Sequence, residues 1–216
     1  MLTVCWSVKG GSGTSVVAAA IALQSPRRSQ ATTLIDLAGD QPALCGLSDP
    51  SGAEARAGIN DWVANSTVGP EVLDALALTV SRDLRLVPAG ECRARLDHPR
   101  WAQLADCLAD SDGDVVVDAG LRPPRALIEV AHQSLLVTRC CYLALRNVAP
   151  HSIRPSGVVV ITEPGRSITS MTVAAVAMAP VVAEIPLDPA VARRADTGMV
   201  AGRLPSALRG LARVAA

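Results

Sequence analysis

Val4 to Leu23 reads VCWSVKGGSGTSVVAAAIAL, and the reading of this stretch decides the fold. An apolar run of strand character passes through a glycine-rich turn into an apolar run of helical character, the order in which a phosphate-binding loop is built. Glycines let the backbone take positive φ and bring its N–H groups close to an anion, while the following helix offers its positive end to the same place. A dinucleotide fingerprint G-x-G-x-x-G starting at Gly11 fails, because Val16 stands where its last glycine belongs. A Walker A frame fits except at one residue: Gly13, Thr14 and Ser15 occupy the place of G-K-[ST], and the Ser15 hydroxyl remains available to magnesium. The competing reading is a strand-to-helix turn without a ligand.

The chain has 216 residues, half of them hydrophobic, enough for one large α/β domain over 1–216. Lys+Arg and Asp+Glu both count 20, so no global field draws the protein to nucleic acid or anionic lipid. Lys9 is the only lysine in the chain, and it sits inside the glycine loop, where a slim ammonium crowds a phosphate cradle less than a guanidinium would. The six cysteines show neither zinc spacing nor a disulfide framework, which fits a reduced cytoplasm. Cys140 and Cys141 read as a packed pair, and His98, His132 and His151 join no nucleophile motif. No apolar run approaches the ~18 residues needed to span a bilayer, and no export signal is read.

Apolar runs alternate with helical patterns, which predicts a mostly parallel sheet with helices on both faces. Strands are expected at 2–8, 32–37, 84–87, 114–118, 134–138, 157–162 and 181–185. Helices are expected at 15–24, 71–78, 100–109, 125–131, 142–148, 168–178, 190–196 and 205–214, and 39–65 reads as loops with short helices near Trp62.

With its loop KGGSGTS, the sequence resembles the ParA and MinD family of ATPases, whose deviant Walker A loop reads K-G-G-x-G-K-[ST]. TLIDLAGDQPALCGL (33–47) is similar to that family's second strand and first switch, DVVVDAG (114–120) to its Walker B strand, and VVAEIPLDPAVARRADTG (181–198) to its last strand and base-side loop. LRLVPAG and EPGRSITS look most like the CpaE and TadZ branch, associated with polar or septal positioning and Tad pilus assembly. The resemblance implies a P-loop fold that binds ATP and magnesium. It implies that Lys9 reaches a partner's phosphates across a nucleotide-dependent homodimer and that backbone amides of Gly10, Gly11, Ser12, Gly13, Thr14 and Ser15 cradle phosphates. It further implies that Ser15, Asp36 and Asp118 serve the metal or its water shell, and that Pro186 and Leu187 lie beside the base. An aspartate that ends an apolar strand also reads simply as the point where a sheet meets solvent.

Two departures bear on turnover. Thr14 replaces the lysine that would stabilise charge on a transferred phosphoryl group. Ala38 stands where the second switch aspartate would orient water, and Asp40 is the candidate substitute. The expectation is a positional or assembly factor with weak or absent ATP hydrolysis; the alternatives are a pseudo-ATPase scaffold and an active DNA-partitioning ATPase. An unidentified pilus, secretion or division protein is the expected partner. From Arg193 onward, Arg193, Arg194, Arg203, Arg209 and Arg213 face only the acid Asp196, a patch that reads either as nonspecific DNA contact or as a solvated face. Leu204, Leu208, Leu211 and Val214 form an apolar stripe that is short and lacks aromatics, so docking on the same domain is expected over membrane contact.

Overall fold

The structure, a computed structural model, describes residues 1–25, 31–47 and 57–215. The strands are β1 (Leu2–Ser7), β2 (Thr32–Asp36), β3 (Leu78–Ser81), β4 (Leu84–Val87), β5 (Val115–Leu121), β6 (Gln133–Arg139), β7 (Gly157–Thr162) and β8 (Val181–Pro186). The helices are α1 (Thr14–Gln24), α2 (Gln41–Leu44), α3 (Ile59–Ala64), α4 (Arg100–Ala109), α5 (Arg125–Val130), α6 (Tyr142–Val148), α7 (Ser170–Ala177) and α8 (Pro189–Asp196), with 3-10 segments at Pro70–Leu76 and Ser206–Arg213. The part of the expected 39–65 loop region between 48 and 56 lies outside the described residues.

The eight strands form one sheet in the order β3-β4-β2-β5-β1-β6-β7-β8. All pairings are parallel except β3 with β4, so the mostly parallel α/β sheet is as expected. Successive side chains of a strand point to opposite faces. Leu2, Val4 and Trp6 of β1 therefore join the core beneath α3, α4 and α5, while Cys5 joins the core beneath α1 and the C-terminal segment. Both faces are covered, which is why these strands read as unbroken apolar runs. Helix α1 is apolar around its circumference, with Val17 to Ile21 all buried, because it lies between the sheet and the 3-10 segment Ser206–Arg213. Strand β1 lies where the order reverses, with β5 and β2 on one side and β6 on the other, and the carboxyl ends of such strands frame a crevice.

The sequence placed a helix over 71–78; the chain instead makes a 3-10 turn and then β3, an antiparallel edge strand with Leu78 opposite Leu86. No residue of Pro70–Leu76 is buried, so nothing rewards a longer helix there, and the alternation Leu78-Thr79-Val80-Ser81 suits a half-covered edge. The tail is 3-10 rather than α-helical, yet it docks as expected: Leu208, Leu211 and Val214 are buried against the α1 side of the core. Among the described residues, no helix is long and apolar enough to cross a membrane.

Candidate functional site

Strand β1 delivers the chain to the crevice at Ser7, whose hydroxyl donates to the Lys9 carbonyl at 3.3 Å and to the Gly120 carbonyl at 3.4 Å. The loop that follows is tightened by the Ser12 hydroxyl, which donates to the same Lys9 carbonyl at 2.7 Å. Gly13 closes it at φ 84°, a left-handed conformation that strains any residue with a Cβ, and serves as the N-cap of α1. Among the described residues, the N–H groups of Gly11, Ser12, Gly13, Thr14 and Ser15 donate to no acceptor. A Cβ placed on Gly10 or Gly11 would meet no atom within 4 Å, so the loop presents an open face. These unpaired donors line a cavity of about 930 Å³ that extends to Ala38, Asp40, Glu91 and Arg122. A smaller cleft of about 140 Å³ opens on the other side of the loop, walled by Ile161, Ile185, Pro186 and Leu187. Pro186 and Leu187 thus stand beside the loop, where the resemblance put the base.

Lys9 is half-buried, and among the described residues its ammonium donates only to the Gly10 carbonyl, at 3.4 Å. Thr14 is buried in the first turn of α1, leaving no cation at that position. The Ser15 hydroxyl donates to Asp40 Oδ2 at 3.3 Å, so the two are neighbours although far apart in sequence.

Asp36 and Asp118 are register partners on adjacent strands, and both are fully buried. Asp36 Oδ1 accepts from the N–H groups of Ala38 (2.9 Å) and Gly39 (2.8 Å), and Oδ2 from that of Gln41 (2.9 Å). Asp118 Oδ1 accepts from the Gly120 N–H at 3.2 Å. Its Oδ2 accepts from the Gln41 side-chain amide at 2.8 Å, and the same amide donates to the Ser15 carbonyl at 2.9 Å. Gln41 is fully buried, and its Oε1 has no partner among the described residues. No motif marks this residue's role, because a glutamine at the start of a four-residue helix carries no pattern of its own.

Burial pushes the Asp36 carboxyl up to about 6; the neighbouring Asp118 charge adds to this, while the backbone N–H bonds, led by Gly39, oppose it. Burial also raises Asp118, against the Gln41 amide, the Ser15 hydroxyl and the Gly120 N–H. No cationic side chain among the described residues pairs with either carboxylate. Two adjacent buried carboxylates without a counter-charge are costly, and a divalent cation with its water shell is the chemistry that relieves them. The expected metal set is therefore brought together unevenly. The Ser15 hydroxyl faces both Asp40 and Asp118, while Asp36 turns its oxygens onto its own loop. Ala38 is exposed at the cavity rim, its Cβ 3.1 Å from where a Cβ on Gly120 would stand.

The exposed arginines of the C-terminal region are Arg193, Arg203, Arg209 and Arg213, and Arg194 is half-buried. All six cysteines are free, with Cys140 buried and Cys141 half-buried.

No protein-family model matches the sequence, and no curated protein matches it. Solved structures do. The septum site-determining protein MinD of Pyrococcus horikoshii OT3, complexed with Mg-ADP, superposes with a TM-score of 0.74 at 16% identity, over 100% of this chain and 95% of that one. The cell division ATPase MinD of Pyrococcus furiosus gives 0.73 at 20% identity over 99% and 96%. A ParA family ATPase from Chlorobium tepidum TLS gives 0.67 at 20% identity over 93% and 89%. The eight-stranded sheet, with the glycine loop between β1 and α1, is the fold of the ParA and MinD ATPases.

Proposed function

We propose that the chain is a ParA/MinD-type protein that binds ATP with magnesium and acts as a positional or assembly factor with little or no hydrolysis. The observation that carries this reading is the glycine loop, whose N–H groups from Gly11 to Ser15 are unpaired among the described residues around a cavity of about 930 Å³, beside two buried carboxylates with which no described cation pairs. A MinD of the same fold is complexed with Mg-ADP, which supports the choice of ligand.

In this reading the loop amides hold phosphate oxygens and Pro186 and Leu187 flank the base. The Ser15 hydroxyl and Asp118 hold magnesium directly or through water, and Asp36 sets the turn that carries Asp40 and Gln41 to the site. Bound magnesium would supply charge neutralisation along the phosphates. Lys9, whose ammonium bonds only its neighbour's carbonyl among the described residues, would reach the phosphates of a second copy and so build a nucleotide-dependent dimer. Turnover is weak because position 14 offers no cation and Ala38 no carboxylate. Asp40, the remaining group able to orient water, is engaged by Ser15. The narrower assignment to CpaE/TadZ-type factors at a pole or septum, serving a pilus, secretion or division partner, rests on LRLVPAG and EPGRSITS.

Calorimetric titration with ATP-Mg tests the reading: saturable binding is expected, and no heat at millimolar nucleotide would contradict it. That negative result would favour a scaffold without nucleotide, a reading supported by Gln41, which satisfies Ser15 and Asp118 from within the fold. Nonspecific DNA contact through the exposed tail arginines would show as binding that falls steeply with salt.

A further inference from the structure

Arg122 follows the last residue of β5 and takes φ 58°, one of two non-glycine residues with positive φ among those described. An arginine pays conformational strain there that glycine would not, and strain of this kind persists where function requires the side chain. Pro123 and Pro124, both buried, follow immediately and hold the turn in place. The turn is fastened to the nucleotide loop from the other side as well. Leu121 pairs with Ser7 in register, and the Arg122 N–H donates to the Ser7 carbonyl at 3.5 Å, two residues before Lys9.

Arg122 is exposed and lines the cavity of the glycine loop. Arg85, Arg95, Arg125, Arg139 and Arg166 each pair with a carboxylate, whereas Arg122 has no side-chain partner among the described residues. The exposed cavity wall is otherwise acidic, with Asp40, Glu91 and Asp196 against Arg93 alone. A wall of that balance repels a polyphosphate unless a cation stands close to it.

We propose that Arg122 supplies, from the turn after β5, the phosphate-binding cation that Thr14 does not. The inference rests on the nucleotide reading of this cavity and adds a residue to it. Because Arg122 lies beyond Asp118 on the metal side and is not part of the Ile161–Leu187 cleft, its contact falls at the terminal phosphate end. A guanidinium can meet two phosphate oxygens at once, where a lysine meets them as a point charge.

The test is titration of the full chain with ATP-Mg and ADP-Mg, alongside thermal melts. Arg122→Ala is expected to weaken ATP about tenfold and ADP less, with Arg122→Lys recovering most of the loss. Arg122→Gly, which relieves the left-handed strain, is expected to lose the same affinity while its Tm holds or rises, separating a ligand contact from a structural role. Arg93→Ala is the rival. An equal loss in it would mean a general field rather than a contact at Arg122 and would overturn the proposal. Unchanged ATP affinity in Arg122→Ala and Arg122→Gly, with wild type binding normally, would overturn it while leaving the nucleotide reading intact. Absence of binding by wild type would overturn both.

Discussion

The two loops that meet at the cavity treat their polar groups in opposite ways. Between Gly11 and Ser15 successive N–H groups have no acceptor among the described residues. Between Asp36 and Gln41 the N–H groups of Ala38, Gly39 and Gln41 are answered by the Asp36 carboxylate, and the Gln41 amide closes on Ser15 and Asp118. Gly11 and Gly13 are exposed and the first N–H groups of α1 have no intrahelical acceptor, so this run of donors is open to water or to an anion. The second loop answers its own backbone donors, although Gln41 Oε1 finds no partner among the described residues. The contrast separates binding from turnover: the loop that would hold phosphate is open, while the loop that would place water binds its own backbone donors and has Ala38 where a carboxylate would stand.

The comparison breaks most readily at the open loop. Gly13→Val puts a β-branched side chain at φ 84°, toward Ile161, and should cost about a hundredfold in ATP affinity by moving the donors. Near-normal affinity in a titration of that variant would show that the loop amides do not hold the ligand.

An effect of comparable size should appear at the closed loop as a pH dependence. Asp36 is raised from 3.8 to about 6 in the fold, so the native state holds the proton more tightly than the unfolded chain. Its contribution is therefore most favourable below about pH 4 and becomes steadily less so as pH rises to about 6, by roughly 3 kcal/mol before neighbouring groups compensate. Asp118, raised in the same direction, acts with the same sign. Comparing melts of wild type and Asp36→Asn from pH 4 to 7 checks this: the difference between them should change across that window, and a constant difference would assign the slope elsewhere.

The smallest expected effect sharpens the contrast. Gln41→Ala removes the amide from Ser15 and Asp118 and should lower apo stability by about 1–2 kcal/mol. It should also enlarge the Tm gain on adding ATP-Mg, because the released carboxylate is then answered by the metal. A Tm gain no larger than that of wild type would mean that Gln41 does not compete with the ligand.

The open loop was legible in sequence because glycine spacing between an apolar strand and an apolar helix is local information. The same holds for β4, α4, α6 and β7, whose bounds match the expectation. The closed loop was not legible. That Asp36 would turn onto its own backbone, or that Gln41 would bridge to Asp118 on another strand, depends on strand order and on where a four-residue helix begins. Arg122 was missed for the same reason, since its place in the cavity follows from β5 lying beside β1. The edge strand β3 was absorbed into a helix because Glu71 to Leu78 carries helical residues, while the antiparallel pairing that overrides them comes from β4.

In the proposed role the protein would bind nucleotide without turning it over. The most direct test of this role follows one sample with ATP-Mg in two ways, by mass in solution and by phosphate release, for wild type and Lys9→Ala. The expected result is a wild-type dimer that persists with phosphate release at the buffer rate, and a Lys9→Ala protein that stays monomeric. A wild type that stays monomeric with ATP-Mg, or one that releases phosphate well above buffer, would contradict it.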